Sequence, residues 1–382
     1  MDTLQSELGP EPDRLIFIDH LRMALIALVV LHHLSVIYAA NVGFYYVEPT
    51  TNVGAIVILA FFQLFNQAFF MGLFFFLAGY FTPSSFDRKG PGNFIKDRAI
   101  RLGIPLLIYI FVLNPLASIG VYQMPSSLTG ITTPFVWHEH FSTGPMWFIV
   151  MLLIFCAVYL LWRVVTKSRA KTQSAGVPVP KFWKILLFVV ILAAVSYLVR
   201  IGAPIAITFL IFPSLAYLPQ YASFFAIGIV ANRNNWLRAI PDKLGKSGLI
   251  VALLSIILFL IGMSARLGSG SAFIGGGTFQ SGVYALFDSL FAVGWSLFLI
   301  TFFRRRFDRK MIFGRELMKS SFAVYVIHCP IIVLMAVLLQ NLYIMQLAKF
   351  GLMAVICVPI CFAAAYLIRR IPYPWKRSSV QE

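Results

Sequence analysis

Ten apolar runs, most of them near the length of about 20 residues that an α-helix needs to cross a bilayer, divide the chain, and the polar residues gather between them. The runs are continuous rather than alternating, which predicts helices and not a membrane β-barrel. They lie near 15–40, 54–81, 102–121, 146–166, 182–200, 216–231, 247–265, 282–303, 320–340 and 347–369. Pro213 and Pro219 interrupt the start of the sixth. The pattern predicts an all-α, polytopic membrane helix bundle with about ten transmembrane helices and no internal repeat. The expected organisation is a tail over 1–14, a transmembrane domain over 15–370 and a second tail over 371–382, with no room for an appended soluble domain.

Composition excludes the soluble alternative. The chain is 60% hydrophobic and 12% charged, against about 45–50% apolar for ordinary globular domains. Its first 13 residues are polar and acidic, with Glu7, Glu11 and Asp13, and the run that follows is long enough to span. The first helix is therefore expected to stay rather than be cleaved as a signal peptide. Cys156, Cys329, Cys357 and Cys361 all sit in apolar runs without CxxC or metal spacing, which predicts small packing residues.

The net charge of +17 acquires meaning from its distribution. With the N-terminus in the cytoplasm, 28 of the 31 Lys and Arg fall on the inner side, and only Arg200, Arg266 and Lys349 fall outside. The long outer loop 122–145 has neither residue type. This asymmetry predicts both termini in the cytoplasm. It also makes membrane lipids, not nucleic acid, the partner of the basic loops. A bacterial inner membrane is the expected location.

Against this apolar background a few polar residues stand out. The first run contains RMALIALVVLHH at 22–33. Eleven residues separate Arg22 from His33, roughly 16 Å along a helix and three turns plus about 20° around it, so the two share a face. His32 is turned away by about 80° on the same arithmetic. With Arg22 at the inner interface, His33 lies at mid-membrane, where an ionisable ring is a functional candidate; the alternative is a hydrogen bond between helices. His328 reaches a similar depth in the ninth run, with Tyr325 one turn before it. Asp288 is a lone carboxylate in the eighth run and a candidate to orient His33 or to meet a substrate. Gln63, Asn66 and Gln67 line the outer half of the second run as substrate-facing candidates or interhelical links. Glu139, between His138 and His140, lacks the i, i+4 spacing of a helical zinc site, so a solvated loop or a rim of the acceptor site is expected there and no metal.

The segment RLIFIDHLRMALIALVVLHHLSVIY at 14–38 resembles the opening of the acyltransferase family 3 membrane proteins, which carry an arginine, ten residues and a histidine in helix 1. GLFFFLAGYF at 72–81 is similar to the family's ending of helix 2, with Ala78 where many relatives have serine. NFIKDRAIRLGIP at 93–105 resembles its cytoplasmic arginine pair and following proline, here Arg98, Arg101 and Pro105. GPMWFI at 144–149, with Trp147, is similar to the start of helix 4, and SSFAVYVIHCPI at 320–331 to the late serine-tyrosine-histidine helix. The likeness extends over nearly the whole chain. FIKDRAIRLGIPLLIYIFVLNPL at 94–116 resembles the branch that includes the glucan biosynthesis succinyltransferase.

That resemblance implies transfer of an acyl group, acetyl or succinyl, from cytoplasmic acyl-CoA to a hydroxyl of a carbohydrate or related small molecule at or across the membrane. It implies Arg22, Arg98 and Arg101 as holders of the donor's phosphates, because guanidinium forks suit them, and Arg98 and Arg101, three residues apart at the start of a helix, are expected to share a face. His33 is implied as general base, since histidine's ordinary pKa lies near neutrality. His328, in the matched motif, is expected in support, and so is Asp288 from its place in the eighth run; Asn66, Gln67, Glu139, Trp147 and Tyr325 are expected as substrate contacts. A transporter or flippase is the competing class, because intramembrane charges and broken helices also mark transporters. The missing repeat and the basic pair beside an Arg-to-His helix weigh against it.

Overall fold

The computed structural model describes residues 15–166, 176–205, 207–265, 270–309 and 314–371. The predicted tails, apart from Ile371, and Arg266 lie outside these. The described chain is an all-α bundle. Its main helices are α1 (Ile16–Ala39), α2 (Val53–Arg98), α3 (Trp147–Val165), α4 (Phe182–Gly202), α5 (Leu218–Arg233), α6 (Asp242–Ala265), α7 (Phe279–Arg306), α8 (Gly314–Leu338) and α9 (Gln346–Arg370). Eight helical stretches among the described residues are long and apolar enough to cross a membrane. One of them, Val53–Gln123, has 71 residues, enough for two crossings. The 16-residue α5 is the short remaining member of the predicted ten.

The second and third predicted spans are joined differently from the expectation. The segment 82–101 falls between the second and third predicted spans, yet the chain is helical on both sides of Gly90, whose φ of 71° and ψ of 171° mark the break. Glycine tolerates that φ, and Pro91 suits the first turn of the helix that follows. Phe86 and Phe94 have ring centroids 5.5 Å apart across it, and Lys89 bonds Asp97 at 2.7 Å. Residues eight apart in a straight helix would be separated by roughly 12 Å along its axis, so these contacts require a fold-back at Gly90.

Beyond α2 the chain alternates between π and α segments from Ala99 to Ser118 and ends in a 3-10 turn, Ile119–Gln123. The π segments Ala99–Gly103 and Tyr109–Leu113 stand just before Pro105 and Pro115. A proline inside a helix lacks the N–H and crowds the carbonyl four residues back. At Pro115 that carbonyl belongs to Phe111, and the Trp137 indole donates to it at 2.9 Å.

Helix α1 occupies the middle of the bundle, touching α2, α7, α8 and α9. Close approach of α2 and α5 depends on glycines. A Cβ on Gly79 would stand 2.1 Å from the Phe225 carbonyl oxygen, and one on Gly228 would stand 2.2 Å from that of Phe76. Gly79 belongs to GLFFFLAGYF, so part of that motif is spent on packing. Gly228→Ala is expected to destabilise the protein by about 1–3 kcal/mol, read as a lowered Tm of the solubilised protein. An unchanged Tm would mean the two helices can separate freely.

Candidate active site

Packing of α1 against α8 brings two histidines together inside the bundle. His33 Nδ1 lies 3.3 Å from His328 Nε2. His33 Nδ1 is also 2.9 Å from the Val29 carbonyl oxygen, one turn back. His328 Nδ1 is 2.7 Å from the Tyr325 carbonyl oxygen. A carbonyl only accepts, so each Nδ1 carries hydrogen in these bonds, and each neutral ring holds its lone pair at Nε2. The lone pair of His328 faces His33 Nδ1 and lies 3.3 Å from Cys329 Sγ. His33 keeps its own Nε2 for a further partner.

The segment between α1 and α2 closes over this pair. Phe44 stacks on His33 with centroids 5.3 Å apart. The Tyr45 hydroxyl meets that of Tyr109 at 3.0 Å and donates to Asn114 Oδ1. Asn114 in turn donates to the His140 carbonyl at 2.6 Å. Phe44 is tied to these side chains through its ring contact with Tyr45, centroids 4.9 Å apart.

A cavity of about 250 Å³ runs beside α1, α2, α3 and α8. Arg22 and Arg98 line it, together with apolar Phe74, Ala78, Phe148 and Leu152 and the hydroxyl-bearing Ser321 and Tyr325. Tyr325 connects the cavity to the histidines, its ring stacked on His328 with centroids 5.9 Å apart. Its hydroxyl donates to the Pro145 carbonyl in the GPMWFI segment. Arg22 is exposed. Arg98 lies over the Phe94 ring at 5.2 Å, and its Nε is buried without a hydrogen-bond partner.

Other expected site residues lie elsewhere. Arg101 is exposed, outside the cavity lining, with Nε 2.7 Å from Asp97. The expectation of one face shared with Arg98 assumed a regular helix, whereas a π segment begins between them. Asp288 does not bond to His33; it accepts from Arg200, and both side chains are buried. Tyr217 and Tyr284 flank that guanidinium at 5.1 and 5.0 Å. Two of the outer basic residues that broke the charge pattern are thus buried in pairs, since Lys349 bonds Glu48 at 2.7 Å. Gln67 donates to the Tyr221 hydroxyl at 3.2 Å, and Trp147 stacks on the same ring at 5.7 Å. Asn66 is buried with its Nδ2 unpartnered. Glu139 is exposed on a 3-10 turn, while the neighbouring His140 stacks on Phe135 at 4.8 Å. Among the described residues, no group of three or more His, Cys, Asp or Glu is placed to hold a metal ion.

Phe44 and Ser321 were not singled out from the sequence, and Arg200 stood out there only as an outer basic residue. Phe44 and Arg200 act through partners distant in sequence and gave no local signal. Ser321 had one: it precedes Tyr325 by four residues and His328 by seven, the spacing of one helical face.

A helix bundle with an intramembrane histidine pair and an arginine-lined cavity leading toward it is the framework of a multi-pass membrane enzyme. The chain belongs to acyltransferase family 3: the family model, described as an acyltransferase domain, matches residues 15–369. It is similar to glucans biosynthesis protein C of Salmonella heidelberg (strain SL476), with 26% identity over 273 residues, 68% of each chain. The same protein of Shigella dysenteriae serotype 1 (strain Sd197) is 25% identical over 288 residues, 70% of each chain. No solved structure matches the chain. The protein is therefore an integral membrane acyltransferase.

Proposed function

We propose that this acyltransferase moves an acetyl or succinyl group from acyl-CoA to a hydroxyl of a carbohydrate or related acceptor. The observation that carries the reading is the single cavity from Arg22 and Arg98 to Tyr325, whose ring rests on His328 beside His33. The arginines hold the donor's phosphates at the cytoplasmic end, and the pantetheine arm extends between Phe74, Ala78 and Phe148. The thioester then meets the histidines about 16 Å deeper, the span from Arg22 to His33 along α1. Arg101, paired with Asp97, contributes at most to the basic approach.

His33 Nε2 takes the proton from the acceptor hydroxyl as that oxygen attacks the thioester carbonyl. The tetrahedral adduct collapses to the ester, expelling the CoA sulfur, which regains the proton. Protonation makes the His33 Nδ1–H a stronger donor to the Val29 carbonyl and His328 Nε2, which steadies the charged ring. His328 thereby fills the place of an orienting group. The relatives' name supports a carbohydrate acceptor. Asn66, Gln67 and Trp147, on the other side of the bundle's depth from the arginines, are the polar and aromatic groups to meet it.

The test is acyl-CoA binding to purified protein. Arg98→Ala should weaken acetyl-CoA or succinyl-CoA binding by about 10- to 100-fold, the scale of hydrogen bonds to a charged group. Wild-type protein that binds neither thioester, although folded, would overturn the donor assignment.

A further inference from the structure

Three hydroxyl-bearing side chains line the cavity, and only one lacks a partner. Thr82 Oγ1 donates to the Ala78 carbonyl at 2.8 Å. The Tyr325 hydroxyl donates to the Pro145 carbonyl. Ser321 Oγ is buried, with 5% of the residue exposed, and has no hydrogen-bond partner. Its neighbour Ser320 makes the local bond open to a helical serine: Oγ donates to the Glu316 carbonyl four residues back, at 2.9 Å, and also accepts from Arg369 at 3.0 Å. Ser321 forgoes that bond and lines the cavity instead. Buried polar groups are normally satisfied, so a hydroxyl left open on a cavity wall marks a place where a ligand supplies the partner.

Its position says which part of the ligand. Ser321, Tyr325 and His328 fall on one face of α8, and seven residues separate the first from the last, about 10 Å along the axis. Walls of Phe74, Ala78, Phe148 and Leu152 give the passage few other polar groups. A pantetheine arm has two amides. The inner one lies close to the thioester sulfur, and the outer one lies farther along, toward the phosphates. With the thioester at His33 and His328, a hydroxyl about two helical turns toward Arg98 meets the outer amide. We propose that Ser321 is a donor-positioning residue that hydrogen-bonds the outer pantetheine amide and so sets the depth of the thioester. This rests on the acyl-CoA reading above.

Three acetyl thioesters of decreasing length test it. Acetyl-CoA carries phosphates and both amides, acetyl-pantetheine keeps both amides without the nucleotide, and S-acetyl-N-acetylcysteamine keeps only the inner amide. Consumption of each is followed with wild type, Ser321→Ala and Ser321→Thr. Ser321→Ala is expected to raise KM about three- to tenfold for acetyl-CoA and acetyl-pantetheine and to leave the cysteamine thioester unchanged. Ser321→Thr, which keeps the hydroxyl, should recover most of the loss. Equal losses on all three thioesters, or none on any, would overturn the assignment. Failure of wild type to use any of the three would instead strike the acyl-CoA reading itself. A Tm measured for each variant separates loss of fold from loss of contact.

Discussion

His33→Ala is expected to lower kcat by about 10²- to 10⁴-fold, the usual range for removing a general base. Acyl-CoA affinity should be unaffected, because Arg22 and Arg98, the proposed holders of the donor's phosphates, line the other end of the cavity. His328→Ala should cost less, since in the proposed mechanism that ring, 3.3 Å from His33, acts through it. The two losses should not add. Once His33 is gone, nothing remains for His328 Nε2 to steady, so the double variant should resemble His33→Ala alone. Single-turnover measurements with bound acetyl-CoA would read the chemistry directly. A His328→Ala variant slower than His33→Ala would exchange the roles of the two rings. Multiplying losses in the double variant would mean that each ring handles a different proton.

The geometry behind that expectation was partly legible in the sequence, because helices obey a simple periodicity. Arg22 and His33 could be set on one face of α1 by counting residues, and depth followed from the rise per residue. Helix existence was equally clear, since an apolar run of bilayer length has few other structures open to it. Contacts across the bundle were not legible. Nothing local to His33 indicates that His328, 295 positions away, is its neighbour, or that Phe44 covers its ring. The stretch 82–101 misled because its charges and its Pro83, Gly90, Pro91 and Gly92 ordinarily mark a break, yet inside α2 the backbone leaves helical φ/ψ only at Gly90. Arg101 misled for a related reason: the argument for a shared face with Arg98 holds for an α-helix but not across a π segment.

Asp288 shows the same limit and leads to the largest expected effect on stability. Its partner Arg200 was visible in the sequence only as an exception to the charge asymmetry. The two are brought together by the contact of α4 with α7, where Arg200 is fully buried and Asp288 nearly so. Two charges this deep are tolerable because each neutralises the other and the rings of Tyr217 and Tyr284 flank the guanidinium. Removing one charge strands the other, so Asp288→Ala should destabilise the protein by about 3–5 kcal/mol, and Arg200→Met by a similar amount. Removing both should cost much less than either alone, because an apolar pair leaves no uncompensated charge. Thermal unfolding of the four solubilised proteins, wild type included, gives the comparison. The pair is structural if the double variant recovers both stability and transfer. If it recovers stability while transfer stays lost, Asp288 serves the chemistry through something other than its bond to Arg200, and its Oδ1, buried without a partner, is the atom on which to look for the acceptor.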